Sequence, residues 1–222
     1  MRTFPAGSSG GPDGLRPQHL LELVGCLEAG PALLTSLTSF TNMLLEGRCS
    51  PDVAPVLFGG QLIALEKKTG GIRPIVIGYT LRRVAAKCAN AYAAAILADY
   101  LQPVQVGVGI SGGCEAVVHA TRRFTESMPS GYCIAKLDFS NAFNRLHRDA
   151  MLRSVIERVP GIYKFCHLSY SHTSTLIYDK YTILSQEGPQ QGDPLSASLF
   201  CNTIQPLLQS LSSPLAGVWI YG

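Results

Sequence analysis

The chain has 222 residues, 46% hydrophobic and 15% charged, with a net charge of +3, the make-up of a folded protein with room for one large domain or two small ones. No apolar run approaches the roughly 18 residues of a membrane span, and the opening "MRTFPAGSSGG" lacks the apolar stretch of a secretory signal. Seven scattered cysteines without a CxxC pair argue against a disulfide framework and a zinc site, and suit a reducing cytosol or nucleus.

Residues 1–14 are rich in Gly, Ser and Pro and read as a loop ending in the turn signal "GPDG". Helical apolar spacing follows over 16–28 (Leu20, Leu23, Val24, Leu27) and 31–46 (Leu33, Leu34, Leu37, Phe40, Leu44), divided by Gly30-Pro31. "QLIALEKKTGGIRPIVI" reads as two strands joined by a Gly-Gly turn. The Ala-rich stretch 80–100 predicts a long helix and "GGCEAVVHATRRFTES" (112–127) a further one. "GYCIAKLDF" predicts a buried strand, and 142–158 a helix with Ala142, Phe143, Leu146, Met151 and Val155 on one face. "STLIYDKYTIL" reads as a second hairpin turning at Asp179-Lys180. "DPLSASLFCNTIQPLLQSL" places Pro194 at a helix start, and "AGVWIYG" opens a strand. Helices mixed with hairpins predict an α+β or mixed α/β architecture, not a regular βαβ series.

Charge is uneven along this order. Residues 60–160 carry thirteen Lys/Arg against seven Asp/Glu, so the middle of the chain is basic and the remainder acidic. A solvated charged face accounts for that; so does an anionic partner such as a phosphate or nucleic acid.

Three stretches could carry chemistry. Asp138 stands at the predicted end of a buried strand, where a divalent metal would offset the cost of desolvating its carboxylate. A helix N-cap or an ion pair with Arg145 or Arg148 is the plainer reading. In "SQEGPQQGDPLSASLF" (185–200), Gly192 permits close backbone approach and the Gln191 amide can hydrogen-bond a ligand. An ordinary loop entering a helix, with Asp193 as N-cap, also fits. In "ALEKKTGGIRPIVI", Lys67, Lys68 and Arg73 flank a hairpin tip and suit phosphate, as they also suit an exposed charged turn. The P-loop pattern is absent.

In order, a hairpin tip with Lys and Arg, a strand-borne "DFSNAF", then "QQGDPLS", then a strand ending in Tyr221-Gly222 resembles the reverse transcriptases, especially those of non-LTR (LINE-like) retrotransposons. "GSSGGPDGLRPQHL" is similar to the segment preceding the fingers in that group, and "QVGVGISGGCEAVVHATR" to its template-contacting segment. The resemblance runs over essentially the whole chain.

The resemblance implies an α+β fold, the fingers and partial palm of a right-hand polymerase without its thumb. Residues 1–14 would be an N-terminal loop and 15–222 an incomplete domain, with fingers at 15–130 and partial palm at 131–222. The implied activity is RNA-directed DNA polymerase, a nucleotidyltransferase using Mg²⁺ or Mn²⁺, an RNA template, a DNA primer and deoxynucleoside triphosphates, with no membrane. Asp138 matches the strand Asp that binds both metals, and Phe139 would add a main-chain carbonyl to one of them. Phe143 matches the bulky gate that clashes with a ribose 2′-OH; its alternative is a core aromatic. Gln191 and Gly192 match the pair lining the incoming nucleotide. Lys68 and Arg73 match cations that hold the triphosphate, Lys67 less closely. Gln105, Gly107 and Arg122 match contacts to template or primer backbone. Asn144 stands where relatives often have Asp.

In two-metal chemistry, ions about 3.5–4 Å apart activate the attacking hydroxyl and stabilise the leaving group, and they need about three carboxylates. In that family the other two are an Asp pair after an aromatic and a small residue. Tyr221-Gly222 match the first half of that motif, so the expectation is a chain truncated before the pair and inactive in isolation. The alternatives are a non-catalytic retroelement remnant that binds nucleotide or nucleic acid weakly, an RNA-directed RNA polymerase or maturase-type relative, and an unrelated α+β domain.

Overall fold

Residues 3–14 are loop, as their composition predicts, but a loop tied down along its length; the computed structural model describes residues 3–68 and 70–212. Phe4 is buried beneath the cationic ends of Arg83 and Lys87, 5.1 and 4.6 Å from its ring centroid. Arg83 donates to the Ser9 carbonyl, Lys87 to that of Thr3, and Thr80 to that of Leu15.

Helices α1 (Pro17–Val24) and α2 (Gly30–Leu45) follow, each with a proline in its first turn where no donor is lost. Their apolar stripes are only partly covered: Leu20 and Leu44 are buried while Leu23 and Leu34 face outward, and Leu27, expected on the first helix, lies exposed in the turn after it. A single turn, α3 (Ala54–Leu57), leads into β1 (Gly60–Glu66) and β2 (Ile72–Gly78). These pair as the predicted antiparallel hairpin, in register from Gly60 opposite Gly78 to Glu66 opposite Ile72. The long helix is α4 (Thr80–Leu101), whose Ala85, Ala86, Ala89, Ala93, Leu97 and Leu101 form one buried stripe. The 3.6-residue period places them on one face, and their small side chains let neighbouring helices approach closely. Helix α5 spans Gly113–Glu126.

The structure departs from expectation next. Residues 132–139 form no strand and are exposed throughout. An alternating apolar run becomes a buried strand only where a neighbour completes its ladder and a layer covers its face. Among the described residues nothing pairs with it. The single helix expected over 142–158 is divided into a 3-10 turn at Phe143–Arg145 and α6 (Arg148–Arg158). Leu146 and His147 between them are extended, and Leu146 packs against the core from that position.

After a 3-10 turn at Pro160–Ile162, α7 (Tyr163–Tyr170) is a helix the apolar spacing did not signal. The second predicted hairpin is β3 (Ser174–Tyr178) with β4 (Tyr181–Ser185), its turn residue Asp179 at φ +53. Finally α8 spans Ser196–Ser212. The strand expected from "AGVWIYG" lies outside the described residues.

The four strands form one sheet in the order β2-β1-β3-β4, with β1 and β3 parallel through Gly60–Leu176 and Gln61–Ile177. Helices and sheet share one main core that includes Leu44, Phe58, Leu97, Met151, Phe165 and Leu199, so the architecture is α+β with a mixed sheet. All seven cysteines are free thiols. No helix among the described residues is long and apolar enough to cross a membrane.

Candidate functional site

The loop between β4 and α8 is the centre of the site. Two glycines with positive φ anchor it at opposite ends. A Cβ on Gly188 (φ +62) would sit 1.8 Å from the Phe143 carbonyl oxygen, and one on Gly192 (φ +112) would sit 2.5 Å from that of Val76. Both positions therefore demand glycine twice over, for space and for backbone angle. The amide of Val76 donates to the Gln191 carbonyl at 2.7 Å, which fastens the loop to β2. "DFSNAF" and the first hairpin, far apart in sequence, are thus joined through "SQEGPQQGDP".

A buried polar network holds the loop from beneath. Arg82 of α4 is 1% exposed, forms an ion pair with Asp193, and donates to Gln190 Oε1 at 3.1 Å. Tyr170 of α7 donates its hydroxyl to the same Asp193 oxygen. Gln190 donates to the Phe58 carbonyl at 2.8 Å and to Ser174 Oγ at 2.9 Å, bridging α3 to β3. The other Asp193 oxygen accepts from the Leu195 amide at 3.0 Å, closing a turn ahead of α8; because α8 begins at Ser196, Asp193 is not the N-cap expected from the sequence. Burial works to strip the Arg82 proton, but Asp193 and then Tyr170 hold it more firmly than usual. Burial and the Asp193 charge push the Tyr170 hydroxyl well above the usual phenol range, so it stays protonated and donates.

Around this scaffold the sequence-predicted residues divide. Lys68 and Arg73 are exposed at the hairpin tip and Lys67 is half-buried there, its amide closing the turn on the Gly71 carbonyl. Gln191 is half-buried and Gly192 exposed, against the hairpin's base. Val76 lies three residues from Arg73, about 10 Å along the strand. Phe143 and Phe139 gather on Phe200 of α8, with ring centroids 5.1 and 6.3 Å away. Phe143 is half-buried, combining the packed-aromatic reading with an accessible edge.

Asp138 is exposed on the unpaired segment, not at the end of a buried strand. No ion pair joins it to Arg148, whose guanidinium instead donates to Gly188, His172 and Ser185. Among the described residues no three His, Cys, Asp or Glu side chains gather to hold a metal. Gln105 departs furthest from expectation. It is 1% exposed, and its amide donates to the Cys201 carbonyl and to Gln205, tying the end of α4 to α8. A backbone contact from that side chain is sterically closed, whereas Gly107 and Arg122 are exposed.

Sequence reasoning passed over Arg82, Tyr170 and Gln190. One signal was available: Arg82 falls on the same helical stripe as Ala85, Ala86 and Ala89, and a cation there needs a buried acid.

No protein-family model matches the chain, and no curated protein matches it significantly.

Proposed function

We propose that the chain is fingers and partial palm of a reverse transcriptase of the non-LTR retrotransposon type, and that it binds nucleotide and primer–template. The observation that carries this reading is the "SQEGPQQGDP" loop, whose Gly188 and Gly192 lie on the backbones of Phe143 and Val76. Three of the four ordered stretches on which the resemblance rests are therefore neighbours in space, the fourth lying outside the described residues. Lys68 and Arg73 would neutralise a triphosphate, Gln191 and Gly192 would line the nucleotide, and Phe143 would bound its sugar. Arg122 and Gly107 would meet template or primer backbone. Catalysis in such an enzyme is chiefly positioning and electrostatics, which a rigid loop seated on a hairpin suits.

Mg²⁺ does not fit the donor set described. Asp193 is tied to Arg82 and Tyr170, and among the described residues Asp138 belongs to no group of three possible ligands, whereas two ions need about three carboxylates. No step is routed through a metal; the second reading is a non-catalytic retroelement remnant that binds nucleotide or nucleic acid weakly.

Two measurements on the 222-residue chain test the proposal. In fluorescence anisotropy with a labelled RNA–DNA hybrid, binding is expected to weaken steeply with salt, and Arg122→Ala is expected to lower affinity and flatten the salt slope. Lys68→Ala with Arg73→Ala is expected to weaken deoxynucleoside triphosphate binding by about tenfold or more. No binding of hybrid or triphosphate at low salt would refute the proposal. Primer extension on an RNA template with Mg²⁺ or Mn²⁺ tests the non-catalytic reading: extension abolished by Asp138→Ala overturns it.

A further inference from the structure

Helices α6 and α7 and the first residues of the β4–α8 loop line an open cleft of about 650 Å³. Arg148 lines it. The residue is 8% exposed, its guanidinium lies 5.3 Å over the Tyr170 ring, and its three structural bonds all go to neutral acceptors. Nε donates to the Gly188 carbonyl at 3.2 Å, Nη1 to the His172 carbonyl at 2.9 Å, and Nη2 to Ser185 Oγ at 2.9 Å. Among the described residues no carboxylate lies within ion-pair distance of it, in contrast to the paired Arg82. Glu187 acts on it only at longer range, and its carboxylate sits 3.8 Å from His147 Nδ1 instead.

A buried cation without a counter-ion costs several kcal/mol, and an anion that reaches it recovers part of that cost. A guanidinium has five N–H donors, so two of Arg148's remain for a ligand. Arg153, His167 and His172 line the same cleft and add N–H groups, while Leu152 and Ile156 supply an apolar wall and Asp149 an acceptor. A volume in this range accommodates a small ligand.

We propose that this cleft binds a nucleotide, its phosphate held by Arg148, Arg153 and His167 and its base laid against Leu152 and Ile156. The phosphate answers the unpaired guanidinium, the base answers the apolar wall, and the base N–H groups can donate to Asp149 or Glu187. Glu187 and the Arg148–Gly188 bond belong to the β4–α8 loop, but none of these residues is among those matched to nucleotide, template or metal, so the proposal does not rest on the polymerase reading.

Calorimetric titration of the full chain with adenosine 5′-monophosphate, inorganic phosphate and adenosine tests it. The monophosphate is expected to bind about tenfold more tightly than either part alone. Arg153→Gln combined with His167→Gln is expected to weaken it about fivefold or more. Both side chains are exposed, so the variant keeps its fold, whereas Arg148→Ala would remove three structural bonds. No heat from the monophosphate at millimolar concentration would overturn the proposal. So would affinity lost in Lys68→Ala/Arg73→Ala but kept in Arg153→Gln/His167→Gln, because the ligand would then occupy the hairpin site. Inorganic phosphate binding as tightly as the monophosphate would overturn the part assigned to the base.

Discussion

Asp193 accepts from Arg82 and from Tyr170, one 111 and the other 23 residues away, and accepts the Leu195 amide on its second oxygen. Removing the carboxylate leaves a guanidinium buried without a counter-charge. Asp193→Ala is therefore expected to cost about 3–5 kcal/mol in urea denaturation. Tyr170→Phe removes one hydrogen bond and is expected to cost about 1 kcal/mol. The double change Arg82→Met/Asp193→Leu is expected to cost less than Asp193→Ala alone, since no charge is then stranded. A loss below about 1 kcal/mol for Asp193→Ala would show that the network is solvated and not structural. The local half of the Asp193 role was legible only as a turn-forming acid: α8 begins at Ser196, so the carboxylate closes a turn on Leu195 and is not the expected N-cap. The ion-pair half depended on a partner from a distant helix, which no local pattern names.

The elements that were legible are those whose determinants are local. Alternating apolar residues around Gly70-Gly71 and Asp179-Lys180 specify both hairpins, and the Ala-rich stripe specifies α4. Residues 132–139 show the limit: the same alternation produces a strand only with a partner, and here it has none among the described residues. Helix α7 was missed because "YKFCHLSY" is two turns long, too short for its period to stand out. In the candidate site, the glycines of the β4–α8 loop carry a test. Gly188→Ala and Gly192→Ala must accept both a backbone clash and a positive φ, and each is expected to cost about 2 kcal/mol or more. Gly70→Ala is the control: its φ is also positive, at +83, but a Cβ there meets nothing within 4 Å, so about 1–2 kcal/mol is expected. Equal losses at all three positions would mean that backbone angle alone matters and that the contacts joining Phe143 to Val76 contribute little.

At the scale of the whole molecule, apolar surface is left uncovered in one continuous stretch of chain. Tyr132, Ile134, Leu137 and Phe139 are 52%, 50%, 77% and 47% exposed. On the sheet, Tyr178, Tyr181 and Leu184 of the β3–β4 hairpin are exposed too, and among the described residues β4 is an edge strand with one neighbour. An extended apolar segment and an open edge are complementary, because each supplies the ladder partner the other lacks. Two copies can therefore satisfy one another: residues 132–139 of one chain can add to β4 of the next. Basic residues in the middle of the chain oppose this by like-charge repulsion, which salt screens while it also strengthens apolar contact. Sedimentation velocity is thus expected to show self-association at about 10–100 μM that grows with salt. Ile134→Lys with Leu137→Lys removes apolar surface from the segment and adds charge where strands would meet, so it is expected to return the chain to a monomer without lowering its urea midpoint. A wild-type chain that stays monomeric across that range in high salt would show that the segment and the sheet edge are covered within one molecule.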